Sequence, residues 1–332
     1  MVGRVLQNGQ EEDATMSKEA ERKTKHSRIG KSLRQQKYLQ LMVLPGLIWL
    51  IVFCYIPMAG LFAAFFDYNP YLGILKSPFA GFTHFKELFH DELFWNSVRN
   101  MFGLSLTKTV FAILMPILFA LMLNEIKNVT LKKIVQTASY LPHFISWVVV
   151  AGLFIMWLNT DGIVNHVLVS LGFTNEPQAH LNSPGGFWIW MAIIDTWKET
   201  GWWAIIYLAA IAAIPVEQYE SAVMDGAGRI RRMISITIPS IKSTIMIVVI
   251  LSIGSMIYGG LSGSNLQQSL LFGNSLNYDN SMILETYIVN MGLSQGRFSY
   301  AIAAGLILSL LSFVLFSGAN TISRKLTKTS LY

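Results

Sequence analysis

Three ionisable residues, Asp195, Lys198 and Glu199, interrupt an otherwise apolar run over residues 187–214. A charge at the centre of a bilayer costs about 2.5–3.5 kcal/mol on insertion scales. Three such charges facing lipid unpaired would cost roughly 8–10 kcal/mol by that arithmetic. Spacings of three and four put them on one helix face, where Lys198 can pair with Asp195. The group is therefore expected to face the protein interior or a wet cavity, as a polar patch lining a solute path or as a structural ion cluster. Aromatic side chains crowd the same region: Trp188, Trp190, Trp197, Trp202 and Trp203, with Trp147, Trp157 and Tyr207 nearby. Such rings stack on the C–H faces of sugars, but Trp is also the belt residue of membrane interfaces. Tyr258, Gly259, Gly260, Asn265 and Gln267 are further candidates for lining a path.

Other chemistries find no support. Gly30-Lys31-Ser32 matches the end of a phosphate-binding loop, but Lys25 stands where its first glycine must be and no strand pattern precedes it. ATP hydrolysis by this chain is not expected. His84, His90 and His143 show no metal-ligand spacing, and a single cysteine, Cys54, excludes a disulfide framework and a multi-cysteine zinc site. No nucleophile–base pair suggests an enzyme.

The elements that must hold these residues are membrane helices. The 332 residues are 53% hydrophobic and 13% charged, against about 25% charged in soluble domains. Low charge and high aliphatic content also exclude a disordered chain. Six runs reach the roughly 20 apolar residues a span needs: about 39–66, 97–123, 137–158, 187–214, 240–261 and 298–320. None alternates as a β-barrel strand would. The expectation is an all-α polytopic membrane protein with six transmembrane helices. The net charge of +6 is no nucleic-acid signal, because 19 of the 25 Lys and Arg residues fall before Tyr38, in 124–136, in 215–242 or in the C-terminal tail. Positive residues stay inside, which puts both termini in the cytoplasm and the loops 67–96, 159–186 and 262–297 outside, as docking surfaces or plain connectors. Residues 1–37 read as a flexible basic leader whose stretch from Arg22 to Lys37 suits the anionic inner leaflet, and 38–332 as the membrane domain. Pro45, Pro57, Pro116 and Pro142 are expected to kink their spans.

The cytoplasmic stretch Pro215–Pro239 is the most informative. Pro215 suits the first turn of a helix, and Glu217 and Glu220 favour its positive end. Gly226 and Gly228 allow a turn of positive φ before a short helix with Arg229, Arg231 and Arg232. Small residues (Ser221, Ala222, Gly226, Ala227) would let another backbone approach, and Glu220 and Asp225 offer carboxylates to a cationic partner.

This stretch resembles the EAA loop of binding-protein-dependent ABC importer permeases. Glu220-Ser221-Ala222, Asp225-Gly226-Ala227 and Ile238-Pro239 fill its pattern, with Ser221 for an alanine and Ile238 for a leucine. The resemblance extends over about 38–332. Tyr140-Leu141-Pro142 and Trp197-Lys198-Glu199-Thr200-Gly201-Trp202 make it similar to the carbohydrate-uptake branch, in particular to permeases for oligosaccharides of complex polysaccharides. It implies a coupling helix between helices 4 and 5 within loop 215–239. Glu220, Ser221, Ala222, Asp225, Gly226, Ala227 and Pro239 would meet an ATPase, and Asp195, Trp197, Lys198, Glu199, Trp202, Tyr258 and Asn265 would lie along the substrate path. It further implies two ABC ATPase subunits that carry ATP and Mg, a second and different permease subunit, an extracytoplasmic solute-binding protein and a place in the bacterial inner membrane. An ion-coupled secondary transporter is the competing reading, although the inverted repeats common in that class are not evident.

Overall fold

A computed structural model describes residues 36–327 of the chain. The expected leader lies, apart from Gln36 and Lys37, outside the described residues, as do Gly30-Lys31-Ser32 and Lys328. Helices are the only extended elements among the described residues, joined by turns and irregular stretches, with a single isolated bridge between Phe66 and Phe79. Four helical stretches are long and apolar enough to cross a membrane: Lys37–Phe65, Glu92–Asn124, Trp147–Ser170 and Phe298–Thr321. Two bent pairs, Phe187–Ala212 with Val216–Met224 (72°) and Arg229–Ser240 with Lys242–Gly254 (66°), raise the number to six if each counts as one span.

The chain divides into two compact units, one ending at Phe62 and the other starting at Ala63. In the first, the helix Lys37–Leu50 is apolar all round and has no buried residue, the pattern of a helix solvated by lipid or by protein partners. It contains Pro45 without a break. A π-helical turn, Ile51–Tyr55, precedes Pro57. A proline cannot donate to the helix ladder and its ring crowds the carbonyl four residues back, and the wider turn relieves both. The same device recurs in the second unit, where the π-turn Met233–Thr237 precedes Pro239.

The second unit is organised around two long helices, Glu92–Asn124 and Phe187–Ala212, which share the largest interface between any two elements. Gly103 makes the close approach possible: a Cβ there would stand 2.3 Å from the Trp188 ring. One hydrophobic cluster, including Phe94, Met101, Leu104, Phe154, Phe187 and Tyr287, surrounds the half of these helices nearer Glu92. A second, with Ala120, Leu121, Ala204, Tyr207, Ile211 and Val248, surrounds the half nearer the Pro215–Pro239 stretch. Pro116 lies inside the unbroken 33-residue helix.

The course of the chain departs from the expected spans and loops. The run 137–158 is not one span. A helix Val129–Tyr140 ends in a 3-10 turn at Leu141–Phe144, where Pro142 stops it, and a new helix begins at Trp147. The stretch 262–297, expected as an outer loop, is largely folded into Asn265–Phe272, Tyr278–Ser281, Leu284–Val289 and the π-turn Asn290–Ser294. Buried amides bind these pieces. Asn100 Nδ2 donates to Asp279 O (2.7 Å) and Met282 O (2.9 Å), and Asn277 Nδ2 to Leu181 O (2.7 Å) and Phe272 O (3.0 Å). Asn165 Nδ2 does the same for Asn159 O (2.8 Å) and Gln178 O (2.7 Å). Irregular backbone can be buried only when its carbonyls find such donors.

Asp91 caps the Glu92–Asn124 helix by accepting from Leu93 N at 2.8 Å, and it also accepts from the hydroxyls of Tyr287 and Tyr300. Burial pushes its carboxyl up, but the two tyrosine hydroxyls and the backbone amides of Leu93 and Phe94 together hold it below the ordinary 3.8. Its contribution to stability is therefore complete above about pH 4 and fades as the pH falls through the lower folded value. Acid titration of the purified protein should show this loss, and Asp91→Asn should flatten that part of the profile. Gly201 tests the packing directly. A Cβ there would stand 2.1 Å from Ser139 O, so Gly201→Val should lower thermal stability in detergent by about 1–3 kcal/mol or more, as overpacking does.

Candidate functional site

The charges on the fourth apolar run are all buried, as their face on the helix requires: Asp195 is 4% exposed, Lys198 4% and Glu199 8%. Their pairing is not the expected one. Asp195 pairs with Lys108 of the Glu92–Asn124 helix, Oδ1 to Nζ at 3.3 Å. Lys198 turns away, to Glu199 Oε1 at 3.2 Å and His143 O at 2.6 Å, with its ammonium 5.6 Å from the Trp147 ring centre. The long Lys108 stem reaches across the interface between the two helices, whereas Lys198 points to the side where the 3-10 turn at Pro142 presents a free carbonyl.

Lys108 is the centre of a polar hub. Its ammonium donates to Ser264 Oγ (2.6 Å), Asn265 Oδ1 (3.1 Å) and Gln268 Oε1 (2.9 Å), and Ser264 in turn donates to Asp195 Oδ1 at 2.8 Å. Asn265 Nδ2 donates to Ser105 Oγ (2.8 Å) and Ile257 O (3.0 Å), and Gln268 Nε2 to Met191 O (3.2 Å). A second cluster lies one turn along. Glu199 Oε2 is 2.8 Å from His143 Nδ1, and the His143 ring stacks on Trp202 at 4.3 Å with the planes 1° apart. Asp195 and Glu199 bring the two clusters together as walls of one small cavity, completed by Thr196, Thr200, Trp203, Leu261 and Ser262. It measures about 10 Å³, room for a single water. The Trp203 Nε1 and Thr109 Oγ1 atoms are buried with no partner among the described residues.

Of the expected path residues, Asp195, Lys198, Glu199, Trp202 and Asn265 belong to these clusters. Trp197 is 40% exposed and packs on Phe154, and Tyr258 is 40% exposed. Lys108, His143, Ser264 and Gln268 were not singled out from sequence. A lone lysine in the middle of an apolar run is itself a signal, because such a charge requires a partner at the same depth.

The Pro215–Pro239 stretch folds as a helix, a turn and a second helix. Pro215 caps Val216–Met224 instead of entering its first turn. The turn is a Schellman stop: Gly226 N donates to Val223 O (3.0 Å) and Ala227 N to Ala222 O (2.8 Å), with Gly226 at φ +76°. Gly228, expected to share the positive φ, is extended at −68° and begins Arg229–Arg232. Glu220, Ser221, Asp225, Gly226 and Pro239 are exposed, and Ala222 and Ala227 half-buried. The apolar side chains of Val223, Met224 and Ile230 are also exposed, Met224 by 87%. The element is anchored on its other side. Tyr219 packs on the second hydrophobic cluster, and its hydroxyl lies 2.9 Å from Thr237 Oγ1.

Helices of membrane-spanning length, a buried polar core between them and an exposed helical hairpin define a membrane transport subunit. Residues 112–328 match the family described as binding-protein-dependent transport system inner membrane component. The chain belongs to that family and is an ABC importer permease. Two curated relatives come from Bacillus subtilis (strain 168). Protein LplB is 40% identical over 302 residues, 91% of this chain and 93% of its own. The polygalacturonan/rhamnogalacturonan transport system permease protein YteP is 40% identical over 312 residues, 94% of this chain and 95% of its own. Among solved structures, a chain of a bacterial ABC transporter involved in the import of the acidic polysaccharide alginate superposes with a TM-score of 0.81 at 36% identity, over 90% of this chain and 99% of that one. A structure of the bacterial alginate ABC transporter in complex with an alginate pentasaccharide-bound periplasmic protein gives the same TM-score.

The Lys108–Asp195 pair is open to test. Removing one partner of a buried ion pair costs about 3–5 kcal/mol, whereas removing both can be nearly neutral. Asp195→Asn should lower the melting point in detergent sharply, and Lys108→Met combined with Asp195→Asn should recover most of the loss.

Proposed function

We propose that this permease carries an oligosaccharide from a complex polysaccharide, acidic in kind, through the polar core on the fourth apolar run. The observation that carries the reading is the pair of polar clusters, Asp195 with Lys108 and Glu199 with Lys198, His143 and Trp202, whose two carboxylates wall one small cavity. Carboxylate, amide and hydroxyl groups serve sugar hydroxyls, the two ammonium groups serve a uronate, and the Trp202 ring offers a stacking face. The relatives support the class, since one is named for polygalacturonan and rhamnogalacturonan and a structural neighbour for alginate.

The motor is on other chains. Two ATPase subunits with ATP and Mg would receive the exposed hairpin, with Glu220 at a basic group and Val223, Met224 and Ile230 in an apolar cleft. A second, different permease subunit would complete the path, and a solute-binding protein would dock on the outer side. Both termini would lie in the cytoplasm. Closure of the ATPases would move the hairpin, and Tyr219 would carry the movement to Thr237 at the base of the next helix, a rigid-body switch between two states. An ion-coupled mechanism gains nothing from the Lys108 hub, because the oxygens that could hold a coupling ion already hold an ammonium.

Glu220→Lys and Gly226→Pro each leave the buried core untouched. Both variants should assemble in the membrane at normal levels yet lose transport and substrate-stimulated ATP hydrolysis by about 100-fold, the order that misplacement by a change far from the chemistry can cost. Uptake and ATPase assays on the reconstituted complex decide it, and normal coupling in either variant would refute the role given to the hairpin.

A further inference from the structure

The chain leaves the Lys242–Gly254 helix at Ser255 but does not continue to the surface. Two 3-10 turns, Met256–Tyr258 and Gly260–Ser262, wind it back, with Gly259, Gly260 and Gly263 at φ of 101°, 64° and 59°. A Cβ on Gly259 would stand 2.8 Å from the amide nitrogens of Ser264 and Asn265, so the turn closes only around glycine. The helix Asn265–Phe272 then lies against the Glu92–Asn124 helix at Lys108, sixteen residues past Glu92, or about 24 Å along the axis. Irregular backbone at such depth is tolerated only where protein buries it or it lines a wet cavity.

Residues 256–272 contain no charged residue. Three of their side chains nevertheless converge on one cation: Ser264, Asn265 and Gln268 all accept from Lys108 Nζ, which is 1% exposed. Asp195 supplies the fourth oxygen from the other side. The other polar ties of this segment to the two long helices are Ser264 to the Asp195 carboxylate, Asn265 to Ser105, Ser105 to Ile257 O and Gln268 to Met191 O. Leu261 and Ser262, at the tip of the reversal, wall the cavity that faces Asp195, Glu199, Thr200 and Trp203.

We propose that residues 256–272 form a movable plug over this cavity and that the Lys108 ammonium is its latch. The plug leaves space for one water and none for a sugar ring, so passage requires that it withdraw. A solute bearing hydroxyls or a carboxylate that reaches Asp195 and Ser264 competes for the same ammonium, and the arriving solute itself loosens the latch. Lys108 thus does two things: it holds the plug through Ser264, Asn265 and Gln268, and it is the group that the arriving solute takes over. The proposal rests on reading this cavity as part of the translocation path.

The test reads plug position without ATP or substrate, so it is independent of the motor. Leu261 makes no side-chain hydrogen bond among the described residues and is replaced by Cys in a Cys54→Ser background of the assembled importer in sealed, right-side-out vesicles. The rate of labelling by a membrane-impermeant maleimide is measured. Lys108→Met should raise it about ten-fold or more, as loss of a buried charged tether allows. Lys108→Ala should behave the same and be slowed again by methylammonium, while Lys108→Arg should remain slow. If Lys108→Met does not accumulate, the Lys108→Met/Asp195→Asn pair carries the same readout. Labelling that is unchanged by loss of the ammonium, or a rise that methylammonium does not reverse, overturns the latch. Labelling that responds as described while Glu199→Gln transports normally would leave the latch standing and remove the cavity from the path.

Discussion

A charge inside a membrane needs a partner at its own depth, and Lys108 shows how far that requirement reaches. Its ammonium is satisfied by one carboxylate and three neutral oxygens drawn from two other parts of the chain. Satisfying it fixes the pairing of the Glu92–Asn124 and Phe187–Ala212 helices, decides which way Asp195 faces and brings a reversed segment of chain back into the middle of the protein. The hydrophobic clusters on either side are compatible with other rotations of the helices, since burial of apolar surface is not directional. The polar hub is directional, and it selects one arrangement. Lys198 and Glu199 on the same helix are then left to satisfy one another with His143 and the carbonyl that the break at Pro142 frees.

The same accounting explains the irregular backbone. The segments 141–146 and 256–263 are neither regular helix nor surface loop, and each presents groups to the polar core. Prolines and glycines are placed where a freed carbonyl or a positive φ is used. Pro142 opens the turn that offers His143 O to Lys198, and Gly259 closes the turn that aims Ser264 and Asn265 at Lys108. Defects in helical regularity therefore coincide with the polar chemistry, as expected where a membrane protein must present polar groups without exposing them to lipid.

Sequence reading went furthest where local rules dominate. The helical character of the apolar runs and the helix-stop-helix of Pro215–Pro239 follow from composition and from the needs of Gly226, whereas the breaks inside 137–158 and 240–261 do not. The burial of Asp195, Lys198 and Glu199 follows from energetic cost alone. Their partners were not legible, because pairing across 87 residues, from Lys108 to Asp195, depends on which helices adjoin, and periodicity does not encode that. Asn265 was singled out as a path residue with no sign of its bond to Lys108, and Ser264 and Gln268 looked like ordinary residues of a polar loop. The fold-back of 262–297 was invisible for a related reason: its cohesion comes from single amides such as Asn277 and Asn100 meeting distant carbonyls, a pattern that leaves no trace in hydropathy.

The hairpin and the polar core are built on opposite principles, and this bears on how a transporter must work. The hairpin at 215–239 keeps Glu220, Ser221, Asp225, Gly226 and Pro239 exposed and is anchored on its other side, where Tyr219 meets Thr237. Its surface is available to a partner, and its rigidity comes from a Schellman stop. The polar core is the reverse, with every charge enclosed and the cavity closed down to the size of a water molecule. A permease that binds its cargo only in passing needs both features. An exposed handle can be moved by an external machine at little internal cost, whereas a sealed polar core resists opening until an outside force or a competing ligand replaces the interactions that hold it.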